Sequence, residues 1–270
     1  AAVVDVEDVG CGGFDDLEAA NLDLLADLAG HVHDGLPNGA AAFEIDRVPV
    51  SEDSPERILT EAAGRRLEKR IERRIARSGL KVRKTLEAFD WDFQKKLDRA
   101  AIEQLATLRF VQGHEDLLLT GDSGTGKSHI LAAIALRACK TDIAVRYARG
   151  VDLLDDLYAG LADDSYPRRM KRWVRPELLV IDDVGLGQLR KRNDEPTAAH
   201  MLFNLLDQRH LTRTTAISSN INLRDWGRYL GDATLAAAIL DRLAMSAIRI
   251  DIDGPSYRQH LAKVRAGKKS

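Results

Sequence analysis

The sequence predicts an α/β fold in which helices flank an open parallel sheet, with a helical extension on the N-terminal side. Short runs that are typical of buried strands and end in polar residues occur at 117–120, 178–183 and 214–220, and helical patterns separate them. Parallel strands need long crossover connections, usually helices, so this alternation favours a parallel sheet. A glycine-rich segment at 121–128 joins the first run to a helical pattern at 130–136. A chain of 270 residues is long enough for one such domain and an extension.

The overall composition indicates the cellular compartment in which the protein is expected. It is 44% hydrophobic and 30% charged, and no apolar run approaches the roughly 18 residues that indicate a transmembrane helix. The acidic start lacks the basic region of a secretory signal. The two cysteines, Cys11 and Cys139, suit a reducing compartment. We therefore expect a cytoplasmic location and no membrane partner.

Local charge divides the chain into segments. Residues 1–50 hold eleven acidic residues and one basic residue, a net charge of −10, and no role is assigned to them. Residues 65–84 hold ten basic and two acidic residues, a net charge of +8. We expect an acidic segment at 1–50, a basic helical region at 51–84, an aromatic linker at 85–93 and an α/β domain at 94–270.

The basic region reads as one helix. Ser54 and Pro55 are typical of a cap and a first turn, and the helical pattern runs to about Ser78. One face is apolar and the other carries arginines and lysines. Such a face is either simply solvated or contacts the phosphate backbone of a nucleic acid. Further basic clusters lie at 168–175 and 190–192, and all are candidates for DNA contact.

The linker contains three aromatic residues, Phe89, Trp91 and Phe93. They either belong to the hydrophobic core or flank the base of a nucleotide bound farther along the chain, and both interpretations stay open. A helix is expected after the linker, from Gln94 to Phe110.

The glycine-rich segment fits the phosphate-loop pattern G-x-x-x-x-G-K-[ST] at every fixed position. Glycines let the backbone turn its N–H groups onto phosphate oxygens, and the following helix adds the positive end of its dipole. Lys127 is expected to reach the outer phosphates, and the Ser128 hydroxyl to bind Mg²⁺. The alternative is a glycine-rich surface turn, which the flanking strand and helix disfavour.

Polar residues end two of the later strands. A carboxylate at the carboxyl end of a buried parallel strand can hold Mg²⁺, often through water, so we assign Asp182 to the metal together with Ser128. Asp183 would then polarise or deprotonate a water molecule that attacks the outermost phosphate of a bound nucleotide. Asn220, at the end of the next strand, could orient that water. The alternative for the two acids is a helix cap or a turn.

Five motifs occur in a familiar order. They are Gly-Asp-Ser-Gly-Thr-Gly-Lys-Ser-His at 121–129, Leu-Leu-Val-Ile-Asp-Asp at 178–183, Ser-Ser-Asn at 218–220, Ile-Leu-Asp-Arg-Leu at 239–243 and Gly-Pro-Ser-Tyr-Arg at 254–258. From about Arg65 to Arg265 the chain resembles the IstB-like transposition helper ATPases, which belong to the same AAA+ clade of P-loop NTPases as the DnaC helicase loaders.

The resemblance implies roles for matched residues. Asp182 and Asp183 would be the Walker B acids, and Asn220 would be sensor 1. Arg242 would be an arginine finger inserted into the neighbouring subunit, although a surface pair with Asp241 is the alternative. Arg258 would read the nucleotide state. The nucleotide-binding residues would be Gly121, Asp122, Ser123, Gly124, Thr125, Gly126, Lys127, Ser128, His129 and Arg258.

Two departures from the family pattern accompany these roles. Asp183 stands where the second Walker B acid is often glutamate, so slow hydrolysis is expected. Little sequence follows Arg258, so no C-terminal lid domain is expected.

The resemblance also implies a function. The protein would bind ATP and Mg²⁺, hydrolyse ATP, self-associate on duplex DNA, and recruit and regulate a transposase. A DnaC-like helicase loader would share the fold and differ in its partner. A switch that holds ATP without turnover is another alternative, because of Asp183. A small-molecule kinase would use the same loop but would leave Asn220 and Arg242 without a role.

Overall fold

The computed structural model describes residues 55–185 and 197–267, which belong to one compact unit. Its centre is a five-stranded sheet of order β2-β3-β4-β1-β5 in which every neighbouring pair is parallel. This confirms the predicted parallel sheet. The strands are β1 (Asp116–Gly121), β2 (Val145–Arg149), β3 (Leu178–Val184), β4 (Thr214–Ser219) and β5 (Ala247–Ile252).

Helices flank the sheet, as predicted. In the described ranges they are α1 (Pro55–Ser78), α2 (Arg99–Leu105), α3 (Arg109–Gln112), α4 (Lys127–Lys140), α5 (Gly150–Ala162), α6 (Tyr166–Val174), α7 (Ala198–Arg209), α8 (Trp226–Leu230), α9 (Ala233–Ser246) and α10 (Tyr257–Gly267), with a 3₁₀ turn at Leu223–Asp225. The helix expected from Pro55 to about Ser78 is present as α1. None of these helices has both the length and the apolar character needed to cross a membrane.

One helix prediction was wrong. The single helix expected from Gln94 to Phe110 is instead a turn followed by α2 and α3. The Asp98 side chain caps α2 by accepting a hydrogen bond from the Ala101 N–H, so the helix begins only at Arg99. Leu108 breaks the helix with φ +64°, and its side chain is 4% exposed. Burial of Leu108 overrides the local helical pattern.

The sheet separates two apolar clusters. In β1 the side chains of Leu117 and Leu119 join the cluster that also holds Ile130 of α4, whereas Leu118 joins the cluster with Leu153 of α5. Successive side chains of a strand point to opposite faces, so a strand covered on both faces must be apolar throughout. Burial of each leucine is worth about 2 kcal/mol, which holds the strand ends in place.

Arg209 is a buried charged residue that ties three elements together. Arg209 is 1% exposed. Its guanidinium donates to Thr215 Oγ1 at 2.9 Å and to the carbonyls of Val174 and Pro176 at 2.7 and 2.8 Å. It also donates to the Thr214 carbonyl. Burial lowers the pKa of Arg209 to about 9, so it remains charged at neutral pH. These bonds join the α6–β3 connection to α7 and β4.

We expect Arg209→Met to lower the free energy of unfolding by about 3 kcal/mol, because several buried carbonyls would lose their donor. Chemical denaturation with urea measures this change. Arg224→Met, at an exposed position, is the matched control and should leave stability within about 0.5 kcal/mol of wild type. Equal stability of the two variants would contradict the role given to Arg209.

Candidate nucleotide site

A cleft of about 910 Å³ opens at the carboxyl ends of the strands. This is the edge of an open α/β sheet where ligands are expected to bind. The glycine-rich loop, the ends of β3 and β4, the linker and the start of α10 all contribute to its walls. Among the lining residues are Ser123, Gly124, Thr125, Gly126, Lys127, Ser128, His129, Tyr147, Asp182, Asp183, Asn220, Tyr257 and Arg258.

Two loop positions can be occupied only by glycine. Gly121 has φ +138°, and a Cβ there would lie 2.3 Å from the Ile252 carbonyl oxygen. Gly126 has φ +108°, and a Cβ there would lie 2.7 Å from the Phe89 ring. L-residues avoid these backbone angles, and neither neighbour leaves room for a side chain. The loop is therefore packed between β5 on one side and the linker on the other.

Lys127 begins α4 and is 3% exposed. Its Nζ donates to the carbonyls of Gly121 and Asp122, both at 2.7 Å. Burial lowers the pKa of Lys127, while the charges of Asp183 and Asp182 oppose the shift. An ammonium group has three donors, so these two bonds hold the side chain across the loop and use only part of its capacity.

Asp182 lies at the centre of a hydrogen-bond network and is 4% exposed. Its Oδ1 accepts from the Ser128 hydroxyl at 3.1 Å, from the Asp183 N–H at 3.1 Å and from the Ser218 hydroxyl. Its Oδ2 accepts from the Tyr147 hydroxyl at 2.6 Å. The two residues predicted to hold Mg²⁺, Ser128 and Asp182, are thus in direct contact and offer the oxygen ligands that Mg²⁺ prefers.

Asp183 and Asn220 are also in contact. The Asn220 Nδ2 donates to Asp183 Oδ1 at 2.8 Å. Asp183 has φ +57°, and the β3–β4 register shifts between Ile181 and Val184. A left-handed conformation costs a residue other than glycine about 1 kcal/mol, and such strain is often found at functional sites. The irregularity turns the Asp183 side chain into the cleft.

The linker packs against the first turns of α4. The His129 Nε2 lies 2.8 Å from the Thr85 carbonyl oxygen, and burial lowers the pKa of the ring. Phe89 is 8% exposed and belongs to the core, its ring centroid 4.7 Å from that of Trp91. Phe93 lines the cleft, 5.1 Å from the Tyr257 ring. Phe89 also lines the cleft, so the linker aromatics contribute both to the core and to the cleft wall.

Comparison with known proteins identifies the chain. The sequence profile of the IstB-like ATP binding protein family matches residues 45–265. The chain belongs to this family. An ATP-binding protein of insertion sequence IS232 from Bacillus thuringiensis subsp. berliner is 32% identical over 183 residues, which are 67% of this chain and 71% of that protein. One of insertion sequence IS21 from Pseudomonas aeruginosa is 31% identical over 188 residues, 70% and 69% of the two chains.

Solved structures share the fold of this IstB-like chain. AMPPCP-bound DnaA from Aquifex aeolicus matches with a TM-score of 0.54 at 18% identity, covering 70% of this chain and 56% of that one. DnaI matches with a TM-score of 0.51 at 23% identity, covering 63% and 92%. At identities below 25%, these matches are evidence for a shared fold only. The fold agrees with the predicted parallel sheet flanked by helices, and the family match supports the P-loop assignment that the motifs predicted.

The two late arginines of the IstB-like chain lie in different places. Arg258 is exposed and lines the cleft at the start of α10. Arg242, on α9, is not part of the cleft that the described residues form. Its Nη2 lies 2.7 Å from Asp207 Oδ1, and its guanidinium stacks over Phe203 at 4.2 Å. Its ion-pair partner is therefore Asp207 on α7 and not its sequence neighbour Asp241. A surface Asp–Arg pair, the alternative to an arginine finger, is present with a different aspartate.

Sequence reasoning missed two members of the site, Tyr147 and Ser218. Both contact Asp182 through their hydroxyl groups. Ser218 lies in the polar ending of the buried strand β4, a signal that supported only Asn220 in the prediction. Tyr147 had no comparable signal, because aromatic residues are common in strands for packing reasons alone.

Proposed function

We propose that this IstB-like protein binds ATP with Mg²⁺ in the cleft and hydrolyses the bond between the β- and γ-phosphates. The observation that carries the proposal is the convergence of Lys127, Ser128, Asp182, Asp183 and Asn220 on one cleft. The family and the ATP-binding names of its relatives support ATP as the ligand. The DnaA neighbour with AMPPCP is consistent with it.

Each side chain then has one task. Lys127 donates to the outer phosphates, and Ser128 and Asp182 would hold Mg²⁺, which neutralises phosphate charge when bound. Asp183 accepts the proton of the attacking water. Asn220 bonds one oxygen of Asp183 and so orients the other toward that water. Positioning and charge stabilisation supply most of the catalysis of phosphoryl transfer.

A second candidate is a switch that holds ATP without turnover. The observation in its favour is Asp183 itself, whose carboxylate reaches less far than a glutamate would and already accepts from Asn220. Measurement of phosphate release under single-turnover conditions separates the two functions. Phosphate release that is lost in Asp183→Asn supports hydrolysis. No phosphate release from the wild-type protein supports the switch.

We further propose that the basic region at 51–84 contacts DNA phosphates. Three arginines at helical spacing on α1, Arg66, Arg70 and Arg73, are exposed, and none has an ion pair to another residue of the described chain. Other cations of this region are engaged. Arg74 pairs with Asp142, and Arg83 pairs with Glu72. These three exposed arginines are therefore stronger candidates for a phosphate contact than the ion-paired cations of the same region.

The second basic cluster is partly neutralised. Arg169 pairs with Asp156 and Asp163 at 2.6 and 2.8 Å, and Arg172 pairs with Asp156 at 2.8 Å. Only its remaining cations are available to DNA without breaking an ion pair. The third cluster, 190–192, lies outside the described residues.

DNA affinity should fall steeply with salt and depend little on sequence, because phosphate contacts release counterions without reading bases. The triple variant Arg66→Ala, Arg70→Ala, Arg73→Ala should reduce the slope of log affinity against log salt by about 3. Fluorescence anisotropy with labelled duplexes measures it. The control removes three paired cations elsewhere, Arg99, Arg228 and Arg249, and should keep the slope. Equal slopes for both triple variants would exclude α1 as the DNA contact.

The relatives are named for insertion sequences, which supports a transposase as the partner. We infer that ATP-dependent self-association on DNA in the cytoplasm creates the surface that a transposase recognises. Immobilised duplex DNA with the protein and a non-hydrolysable ATP analogue should retain the transposase of the same insertion sequence. Retention of the replicative helicase in its place would favour the helicase-loader alternative. Electron microscopy of the same sample shows whether oligomers form around DNA.

A further inference from the structure

Tyr147 contacts the metal-binding carboxylate from a strand that carries no motif. It lies on β2, which pairs with β3, and its residue neighbour across the ladder is Val180. The phenol hydroxyl donates to Asp182 Oδ2 at 2.6 Å. Three donors contact the other oxygen, Oδ1, and they come from Ser128, Asp183 and Ser218. Among the described residues, Tyr147 is the one donor recorded for Oδ2.

The surroundings of Tyr147 keep the hydroxyl in place. The side chain lines the cleft, and a Cβ on Gly79 would lie 2.8 Å from the Tyr147 carbonyl oxygen, so the turn after α1 passes close to this strand. An ordinary phenol is protonated across the neutral range, so the hydroxyl acts as the donor toward the carboxylate.

We propose that Tyr147 is a positioning residue for the metal site, holding the Asp182 carboxylate in the orientation in which it faces Ser128. The carboxylate can rotate about its terminal bond, and a donor on each oxygen removes that freedom. The oxygen atoms of Ser128 and Asp182 would then be oriented for Mg²⁺ before the ion binds. This inference rests on the proposed binding of ATP with Mg²⁺ and adds a residue to that site.

The test is Tyr147→Phe, which keeps the ring and removes the hydroxyl. The dissociation constant of a fluorescent ATP analogue is measured in EDTA and again across a Mg²⁺ titration. We expect the constant in EDTA to stay within about twofold of wild type, while the Mg²⁺ concentration at half-saturation rises about tenfold, as is typical when a partner of a metal ligand is lost. Tyr158→Phe, at a buried tyrosine outside the cleft lining, is the matched control and should change neither value.

The outcomes separate this inference from the proposed function. A wild-type protein that binds the analogue with Mg²⁺ dependence, together with an unchanged Mg²⁺ titration in Tyr147→Phe, overturns the positioning role alone. A variant that loses affinity equally with and without Mg²⁺ shows a general structural role and also overturns it. A wild-type protein that gains no affinity from Mg²⁺ overturns the metal site and the inference together.

Discussion

Lys127→Ala is expected to raise the dissociation constant for ATP by about a hundredfold, since hydrogen bonds to a charged group contribute about 1.5–3 kcal/mol each. The ammonium group already lies across the loop, bonded to the carbonyls of Gly121 and Asp122. Isothermal titration calorimetry with ATP and Mg²⁺ measures the change. Hydrolysis should be lost together with tight binding.

The matched control for this prediction is Lys140→Ala. Lys140 ends the same helix that Lys127 begins, and it is exposed. The Lys140→Ala protein should bind ATP as the wild-type protein does. This result would show that loss of a lysine from α4 does not by itself disturb the loop. If the Lys127→Ala protein hydrolyses ATP at the wild-type rate, the assignment of the site is wrong.

Arg242→Ala is expected to leave the fold and ATP binding intact while turnover falls about a thousandfold. An arginine supplied by a neighbouring subunit neutralises charge that develops on the γ-phosphate. Arg242 does not line the cleft of its own chain in the described residues, which is compatible with action across an interface. Steady-state phosphate release and sedimentation with nucleotide measure turnover and assembly on the same samples.

The ion pair with Asp207 permits a sharper control. If Arg242 only stabilises the fold through that pair, Asp207→Asn should reproduce the effects of Arg242→Ala. If Arg242 acts on a neighbouring site, Asp207→Asn should keep turnover, because the guanidinium is still present. A surface pair of this kind contributes less than about 1 kcal/mol, so the Asn variant should remain folded.

Mixing two inactive variants tests the interface directly. Asp183→Asn should bind ATP without turnover and still present Arg242, whereas Arg242→Ala retains its own cleft. At mixed interfaces a complete site can form, so part of the ATPase activity should return. Mixtures that assemble together and stay inactive would exclude Arg242 as an arginine finger.

Much of the site is encoded locally. The pattern around Lys127 and Ser128 needs only a strand, a tight turn and a helix start, and all three are visible in consecutive residues. Asp182 and Asn220 could be placed nearby because parallel strands end at the same edge of a sheet. One helix prediction failed, because Leu108 is buried with φ +64° and a local pattern contains no information on such tertiary packing.

The remaining features depend on which distant residues the fold brings together. Tyr147 meets Asp182 because β2 lies next to β3, a fact of strand order that motifs do not contain. Arg242 meets Asp207 because α9 packs against α7, although Asp241 is its neighbour in sequence. Backbone propensity and glycine requirements act over a few residues and can be read along the chain. The partner of a polar side chain is selected by packing between elements, and only the tertiary structure determines it.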